Sequence, residues 1–407
     1  VNCRFCAAAL EAPFLSLGPS PLANALLAPD DLAQPEPSYP LDVRFCGGCG
    51  LVQVDQHRTP ETIFSDYPYF SSVSETWLDH VRRYADETAG ELDLGARHRV
   101  VEVASNDGHL LKNFQAKGVR VLGIEPARNV AAFANAQGVP TRAVFFGAET
   151  ARRLREDGER ADLLVANNVF AHVPDPNDFT KGLKILLNPL GLLTVEFPHL
   201  LKLLDETQFD TIYHEHFSYF SLGTASRVLA RHGLRVHDVR ELATHGGSLR
   251  LYVSHAEEGR VPSARVESVL VREKEGRLSD PATYAGFATR VGNLRRDIRA
   301  FLEEKKRQGK KVAAYGAPAK GNTLLNYCGV GPDWISFTVD KSVHKQHKFL
   351  PGSHIPVRGP ETIEAERPDF VLILPWNLKD EIMRQMACVR EWGGRFVVPV
   401  PALEVVA

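Results

Sequence analysis

Little in this chain points at once to a class of protein. Its 407 residues carry 48 Lys and Arg against 50 Asp and Glu, a formal net charge of −2. A balance so close to zero gives no electrostatic reason to bind DNA, RNA or an anionic membrane. No apolar run is long enough to cross a bilayer; the longest candidate, Leu183 to Val195, is interrupted by Lys184, Asn188 and Pro189. Cys3, Arg4 and Cys6 stand where the apolar segment of a leader would begin, so no secretory leader is expected and the cytosol is the expected setting. The six cysteines are too few for a disulfide scaffold in a chain of this length. Also missing are the G-x-G-x-x-G of dinucleotide folds, the lysine of a Walker loop and the H-E-x-x-H of zinc proteases, which argues against all three.

What is present is ordinary in bulk, 44% hydrophobic and 24% charged, with length for two or three domains. Four of the cysteines form two knuckles, Cys3-Arg4-Phe5-Cys6 and Cys46-Gly47-Gly48-Cys49. Two intervening residues let both thiolates of a pair meet one tetrahedral ion, and two pairs close its shell, so structural zinc is expected. The segment between them holds Pro13, Pro19, Pro21, Pro29, Pro35, Pro37 and Pro40. It can form little helix and needs a clamp, to which metal binding could contribute roughly 10 kcal/mol or more. Few Lys or Arg flank the knuckles, which disfavours a nucleic-acid zinc ribbon. Cys328 and Cys388 are isolated and read as core thiols. Tyr67-Pro68-Tyr69-Phe70 and the serines after it lead into a helix around Glu75 to Ala89; tyrosines at such a junction line a cleft or pack between domains.

From Arg97 short apolar strands alternate with helices: Val100 to Ala104, Val119 to Ile124, Val144 to Phe146, Asp162 to Ala166, Leu192 to Phe197, then Arg235 to Leu242 and Ser248 to His255. This alternation argues a parallel, doubly wound sheet whose ligand sits at the carboxyl ends of the strands. The first loop, Ser105-Asn106-Asp107-Gly108, keeps a single glycine, which suits a cofactor without phosphates. Glu125 ends the second strand, where a carboxylate can accept both hydroxyls of a ribose. After the fifth strand comes Tyr213-His214-Glu215-His216, two imidazoles with a carboxylate and a phenol. Imidazole titrates near neutrality and suits a base; a second metal on His214 and His216 is a weaker alternative. Farther on, Lys311 to Tyr315 reads as a strand entering Gly316-Ala317-Pro318-Ala319-Lys320-Gly321-Asn322 and a helix, a good seat for an anion. Ile335 to Val339, Phe370 to Leu374 and Phe396 to Val400 complete a second, smaller alternating sheet.

Taken in order, Cys3/Cys6/Cys46/Cys49, Glu102 with Asn106-Asp107-Gly108, Asn167-Asn168-Val169, Tyr213-His214-Glu215-His216, His245-Gly246-Gly247-Ser248 and Tyr315-Gly316-Ala317-Pro318-Ala319-Lys320-Gly321 carry a resemblance over almost the full length. The chain resembles the class I S-adenosylmethionine-dependent methyltransferases. More narrowly, it is similar to the sugar C-methyltransferases of nucleotide-linked deoxysugars. The resemblance implies a zinc-binding domain over 1–70, a methyltransferase domain over 71–255 and a Rossmann-like sugar-nucleotide domain over 256–407. It implies that Glu102, Asn106, Asp107, Gly108, Glu125 and Asn167 hold the methyl donor and that His216 is the base. Tyr213 and Glu215 would shape its pocket or orient it, His214 would join them in the catalytic set, and Tyr67 and Asn168 would contact the sugar carbonyl. Tyr315, Gly316, Lys320 and Asn322 would hold the nucleotide. The expected reaction is methylation at C3 of a keto deoxysugar nucleotide, a dTDP-4-keto sugar first. Alternatives are an O- or N-methyltransferase for a sugar or small metabolite, and a non-catalytic zinc-containing nucleotide-binding module.

Overall fold

Three sheets, in a computed structural model that describes residues 1–65 and 75–407, organise the chain. The first contains β1 (Leu15–Ser20), β2 (Tyr39–Phe45) and β3 (Val52–Val54), antiparallel throughout. The second, in chain order, contains β4 (Arg99–Val103), β5 (Arg120–Ile124), β6 (Thr141–Arg142), β7 (Ala161–Asn167) and β8 (Leu187–Pro198). After β8 the chain returns to the first sheet for β9 (Ser218–Tyr219), which pairs with β3. It then adds β10 (Leu234–Leu242) and β11 (Ser248–His255) to the second sheet, whose spatial order is β10-β11-β8-β7-β4-β5-β6. The third sheet contains β12 (Val312–Tyr315), β13 (Thr338–Val339), β14 (Val357–Arg358), β15 (Phe370–Ile373), β16 (Arg395–Val398) and β17 (Glu404–Val406), in the order β14-β13-β12-β15-β16-β17.

The second sheet is parallel from β6 to β8, with Val101 opposite Leu122 and Leu164, and Leu164 opposite Leu193. It is not parallel throughout. β11 runs antiparallel to both β8 and β10, because only the short link Ala243–Gly247 joins β10 to β11, too little for a crossover helix. The third strand is shifted as well: Thr141–Arg142 pairs with β5, whereas Val144 to Phe146 forms a loop. Asn135 accounts for the shift by bonding Thr141 through both its amide hydrogen and its carbonyl. Helix starts follow their caps. The Asp175 carboxylate accepts from Asn177 N and Asp178 N ahead of Pro176–Leu186, and Ser221 Oγ accepts from Thr224 N ahead of Leu222–Arg231. Each cap stabilises its helix by about 1 kcal/mol.

Packing ties the amino-terminal unit to both larger sheets. Leu15, Leu17, Leu41, Val43 and Val52 share one core with the third sheet. They also meet the helix Pro281–Arg307, which buries Tyr284, Phe287, Val291, Leu294, Ile298 and Leu302 along one face. Cys3, Phe5, Cys46, Cys49 and Leu51 belong instead to the core of the second sheet. Each fully buried large side chain adds about 1.5–3 kcal/mol, so the unit is held from two directions. Among the described residues no helix is long and apolar enough to cross a membrane.

Candidate active site

The four cysteine sulfurs lie within 4.8 Å of one another, with Cys3 Sγ 3.5 Å from Cys49 Sγ and Cys6 Sγ 3.5 Å from Cys46 Sγ. Ligands about 2.3 Å from a tetrahedral zinc are about 3.8 Å apart, so the cluster fits the ion after small adjustments. Among the described residues no other ligand joins it. The closed thiolate shell makes the zinc structural rather than catalytic.

The candidate site is elsewhere, in a cavity of about 1200 Å³ lined by the carboxyl ends of β4, β5, β7 and β8, the turn after Thr211 and the carboxyl ends of β12, β13 and β15 in the third sheet. Glu125 directly follows β5 on its wall. Its Oε2 accepts from Asn106 N and its Oε1 from Ala127 N, both at 2.9 Å. Those amides fix the carboxylate while leaving lone pairs for a ligand. Glu102 is the penultimate residue of β4, and its Oε2 is buried without a partner among the described residues. Burial pushes its carboxyl well up, and the charges of Asp107, Glu125 and Glu196 push the same way. Gly108 must be glycine: its φ is +75°, and a Cβ there would lie 2.9 Å from Val139. Gly108 and the buried Asp107 shape the loop but do not line the cavity, whereas Glu102, Asn106, Glu125 and Asn167 do. An orphaned carboxyl oxygen and a preset strand-end carboxylate fit the amino and ribose groups of a methyl donor. Asn167 serves mainly its neighbours, donating to Glu196 Oε1 at 3.1 Å.

The stretch after Thr211 is a turn, closed by His216 N donating to Tyr213 O at 2.9 Å. A turn breaks strand alternation, so Tyr213 and His216 both face the cavity while the residues between them do not. His216 Nδ1 lies 2.9 Å from Thr211 O, which can only accept, so that nitrogen carries the hydrogen. Nε2 is then the lone pair and receives the Tyr213 hydroxyl at 2.8 Å. Burial, then His172, holds His216 well below its usual value, so it is neutral at pH 7. His214 departs from its expected place at the pocket: it turns to donate from Nε2 to Pro40 O at 3.1 Å. The Glu215 carboxylate is likewise off the cavity wall, and its Oε1 and Oε2 both accept from Asn24 Nδ2, at 2.9 and 2.8 Å. Asn168 lines the cavity, with both side-chain polar atoms buried and, among the described residues, unpartnered. Tyr67 lies outside the described residues.

On the opposite wall, Lys320 begins the helix Ala319–Cys328. Its ammonium donates to Asn377 Oδ1 at 2.7 Å and sits 4.6 Å above the Trp376 ring. Burial lowers its pKa, against the pull of Asp210. Trp376 Nε1 donates to Asp210 Oδ2 at 2.6 Å, and burial pushes Asp210 up to about 6. Tyr315 and Gly316 line this end, but Asn322 does not; it points into the junction and donates to Ala23 O at 2.5 Å.

Several cavity residues escape a reading of motifs. Arg250 Nε donates to Glu196 Oε1 at 2.5 Å, and His80 Nε2 lies 3.3 Å from Glu196 Oε2. Burial alone would raise Glu196, but His80 and Arg250 more than offset it, and its carboxyl ends below the usual range. His172 donates from Nδ1 to Glu215 O at 2.9 Å and meets the His216 ring edge-on at 4.6 Å. Its position just past β7, at a carboxyl strand end, is the one sequence signal that marks it.

Three family models match the chain: a zinc binding domain over residues 3–64, a methyltransferase domain over 69–239 and a C-methyltransferase C-terminal domain over 243–401. C-methyltransferase NovU of Streptomyces niveus is 39% identical over 406 residues, covering 100% of this chain and 97% of that one. Ubiquinone biosynthesis O-methyltransferase of Rhodopseudomonas palustris is 26% identical over 147 residues, 31% of this chain and 58% of that one. Among solved structures, magnesium protoporphyrin IX methyltransferase of Synechocystis PCC 6803 with bound SAM matches at 15% identity and a TM-score of 0.32, covering 44% of this chain and 78% of that one.

Proposed function

The chain belongs to the S-adenosylmethionine-dependent C-methyltransferases, and on that footing we propose that it methylates C3 of a keto deoxysugar nucleotide, a dTDP-4-keto sugar first, through an enolate. When bound, S-adenosylmethionine supplies a methyl group already activated on a positive sulfur. Glu102, Asn106 and Glu125 would hold it at the ends of β4 and β5.

The acceptor carbon becomes a nucleophile only by losing a proton beside a carbonyl. The observation that carries the reading is His216, a neutral imidazole on the cavity wall whose Nε2 lone pair is set by the hydrogen bond from Nδ1 to Thr211 O. It accepts the C3 proton, and Tyr213 holds that lone pair in place until substrate arrives. Asn168, with an unsatisfied amide, serves the carbonyl oxygen. Lys320 and the amino end of its helix favour the diphosphate of the sugar nucleotide.

Incubation of a dTDP-4-keto deoxysugar with the protein in deuterated water, without methyl donor, tests the reading. Deuterium should enter at C3. No exchange, together with methylation of a hydroxyl once donor is added, would establish an O-methyltransferase instead.

A further inference from the structure

The link between β10 and β11, Thr244-His245-Gly246-Gly247, makes a turn of unusual backbone. His245 has φ 55° and ψ 21°, and Gly246 and Gly247 follow with φ of 88° and 114°. The turn is clamped on several sides. A Cβ on Gly246 would lie 2.6 Å from Trp376 and 2.8 Å from Gln208, Gln208 Nε2 donates to Gly246 O at 2.7 Å, and His199 N donates to Gly247 O at 3.0 Å. Left-handed backbone is unfavourable for histidine, and no hydrogen bond from its own ring compensates. Among the described residues the imidazole bonds to nothing; its one ring contact is Trp77, at 5.6 Å. The ring lines the cavity.

Asn168 is its counterpart. It too is left-handed, with φ 55°, and among the described residues its amide nitrogen and oxygen are both unpartnered. Asn168 directly follows β7, and its backbone N–H donates to Glu196 O on β8. His245 precedes β11, where Ser248 stands opposite Pro198 of β8. β7 and β11 flank β8, so the two residues stand on either side of its carboxyl end. Two strand spacings separate them, about 10 Å, and a small group between them is within reach of both side chains.

We infer that His245 donates a hydrogen bond to the oxygen of the substrate ketone and of the enolate formed from it, opposite Asn168. The assignment rests on the carbon-acid reading above. His216 Nε2 takes the proton from the carbon beside the ketone. The C–H pair becomes the C=C bond, and the C=O π pair moves onto oxygen, where the N–H groups of His245 and Asn168 meet it. Burial and Lys320 push His245 down to about 4, so at neutral pH it donates as a neutral ring. A neutral donor stabilises the oxyanion without protonating it, which keeps the carbon nucleophilic. Groups acting on the ring come from every side: Lys320, Glu196, His80 and His172.

Exchange into a dTDP-4-keto deoxysugar and methyl transfer, measured on the full chain, test the assignment. His245→Ala should slow both by about 100-fold or more, the usual scale for one oxyanion donor, through kcat rather than KM. S-adenosylhomocysteine affinity and the acid limb of the pH profile should not move. His245→Asn tolerates left-handed backbone and places an N–H near Nδ1, whereas His245→Gln places one near Nε2. One of the two should recover at least about tenfold, which a purely structural role would not allow. Wild-type exchange in the alanine variant overturns the assignment and leaves the carbon-acid reading standing, as does a loss that neither amide relieves. No exchange in the wild-type protein overturns both.

Discussion

Replacing His216 by asparagine separates its two nitrogens. The amide N–H can still reach Thr211 O, now 2.9 Å from Nδ1, and so spares the cost of an orphaned buried carbonyl, about 1–3 kcal/mol. What disappears is the Nε2 lone pair, 2.8 Å from the Tyr213 hydroxyl. A general base contributes on the order of 10²–10⁴ in rate, about 3–5 kcal/mol of barrier at 1.36 kcal/mol per decade. The kcat/KM for methyl transfer and the rate of deuterium wash-in should therefore fall together by that factor. Calorimetric binding of S-adenosylhomocysteine and the unfolding temperature should change little. Tyr213→Phe removes the hydroxyl that Nε2 receives. Since phenol and imidazole share one hydrogen bond, their losses should not add, and the double variant should be within about threefold of the slower single one. An asparagine variant that keeps more than about a tenth of wild-type exchange, or losses that multiply in full, would refute the reasoning.

The pH dependence follows from the same ring. Because burial and His172 hold His216 well below 6.5, kcat/KM should stay flat as pH falls through 6.5 and decline only in more acidic solution; a midpoint at or above 6.5 contradicts this. Stability should behave alike. His172 is held at about 4 by burial, so the unfolded chain takes up a proton near 6.5 that the folded one refuses. Its contribution is complete above 6.5 and lost as pH falls toward 4, which melting curves against pH would record. Metal analysis should find one zinc per chain, and its removal by chelation or Cys49→Ser should unfold the first sheet, given the roughly 10 kcal/mol such sites supply; full activity in metal-free protein would contradict a structural role. Lys320→Met should weaken a nucleoside diphosphate by about 10–100-fold, the range for losing one charge-assisted hydrogen bond. S-adenosylmethionine binding should be unaffected, and equal nucleotide affinity in a calorimeter would remove the phosphate seat.

Strands buried on both faces read as unbroken apolar runs, which is why Leu163–Val165 and Leu192–Leu193 can be placed from sequence; each is at most 6% exposed. Paired cysteines are equally plain, since a knuckle is local. Direction is less so: nothing in the composition of Ser248–His255 says that it runs against β8, and only the shortness of the link before it carries that information. Val144 to Phe146 has the composition of a strand, yet Asn135 bonds the neighbouring Thr141 and moves the pairing upstream. In the site, the turn at Tyr213–His216 decides which of four chemically capable residues meets the cavity, and hydrophobic period cannot foresee a turn. His80, Glu196 and Arg250 meet across 116 and 54 positions, a distance over which no motif extends.

β9 follows the turn that ends in His216 and pairs with β3, with Tyr219 opposite Val52 and Ser218 opposite Gln53. Val54 N reaches Phe217 O at 3.2 Å, and the Arg4 guanidinium lies 5.3 Å from the Phe217 ring. β3 starts three residues after Cys49. An ion that never meets either reactant therefore governs where the imidazole stands, much as a keystone locates a span it does not touch. Evolution or engineering that relaxes the cysteine knuckles should register first as misplaced chemistry and only afterwards as lost stability.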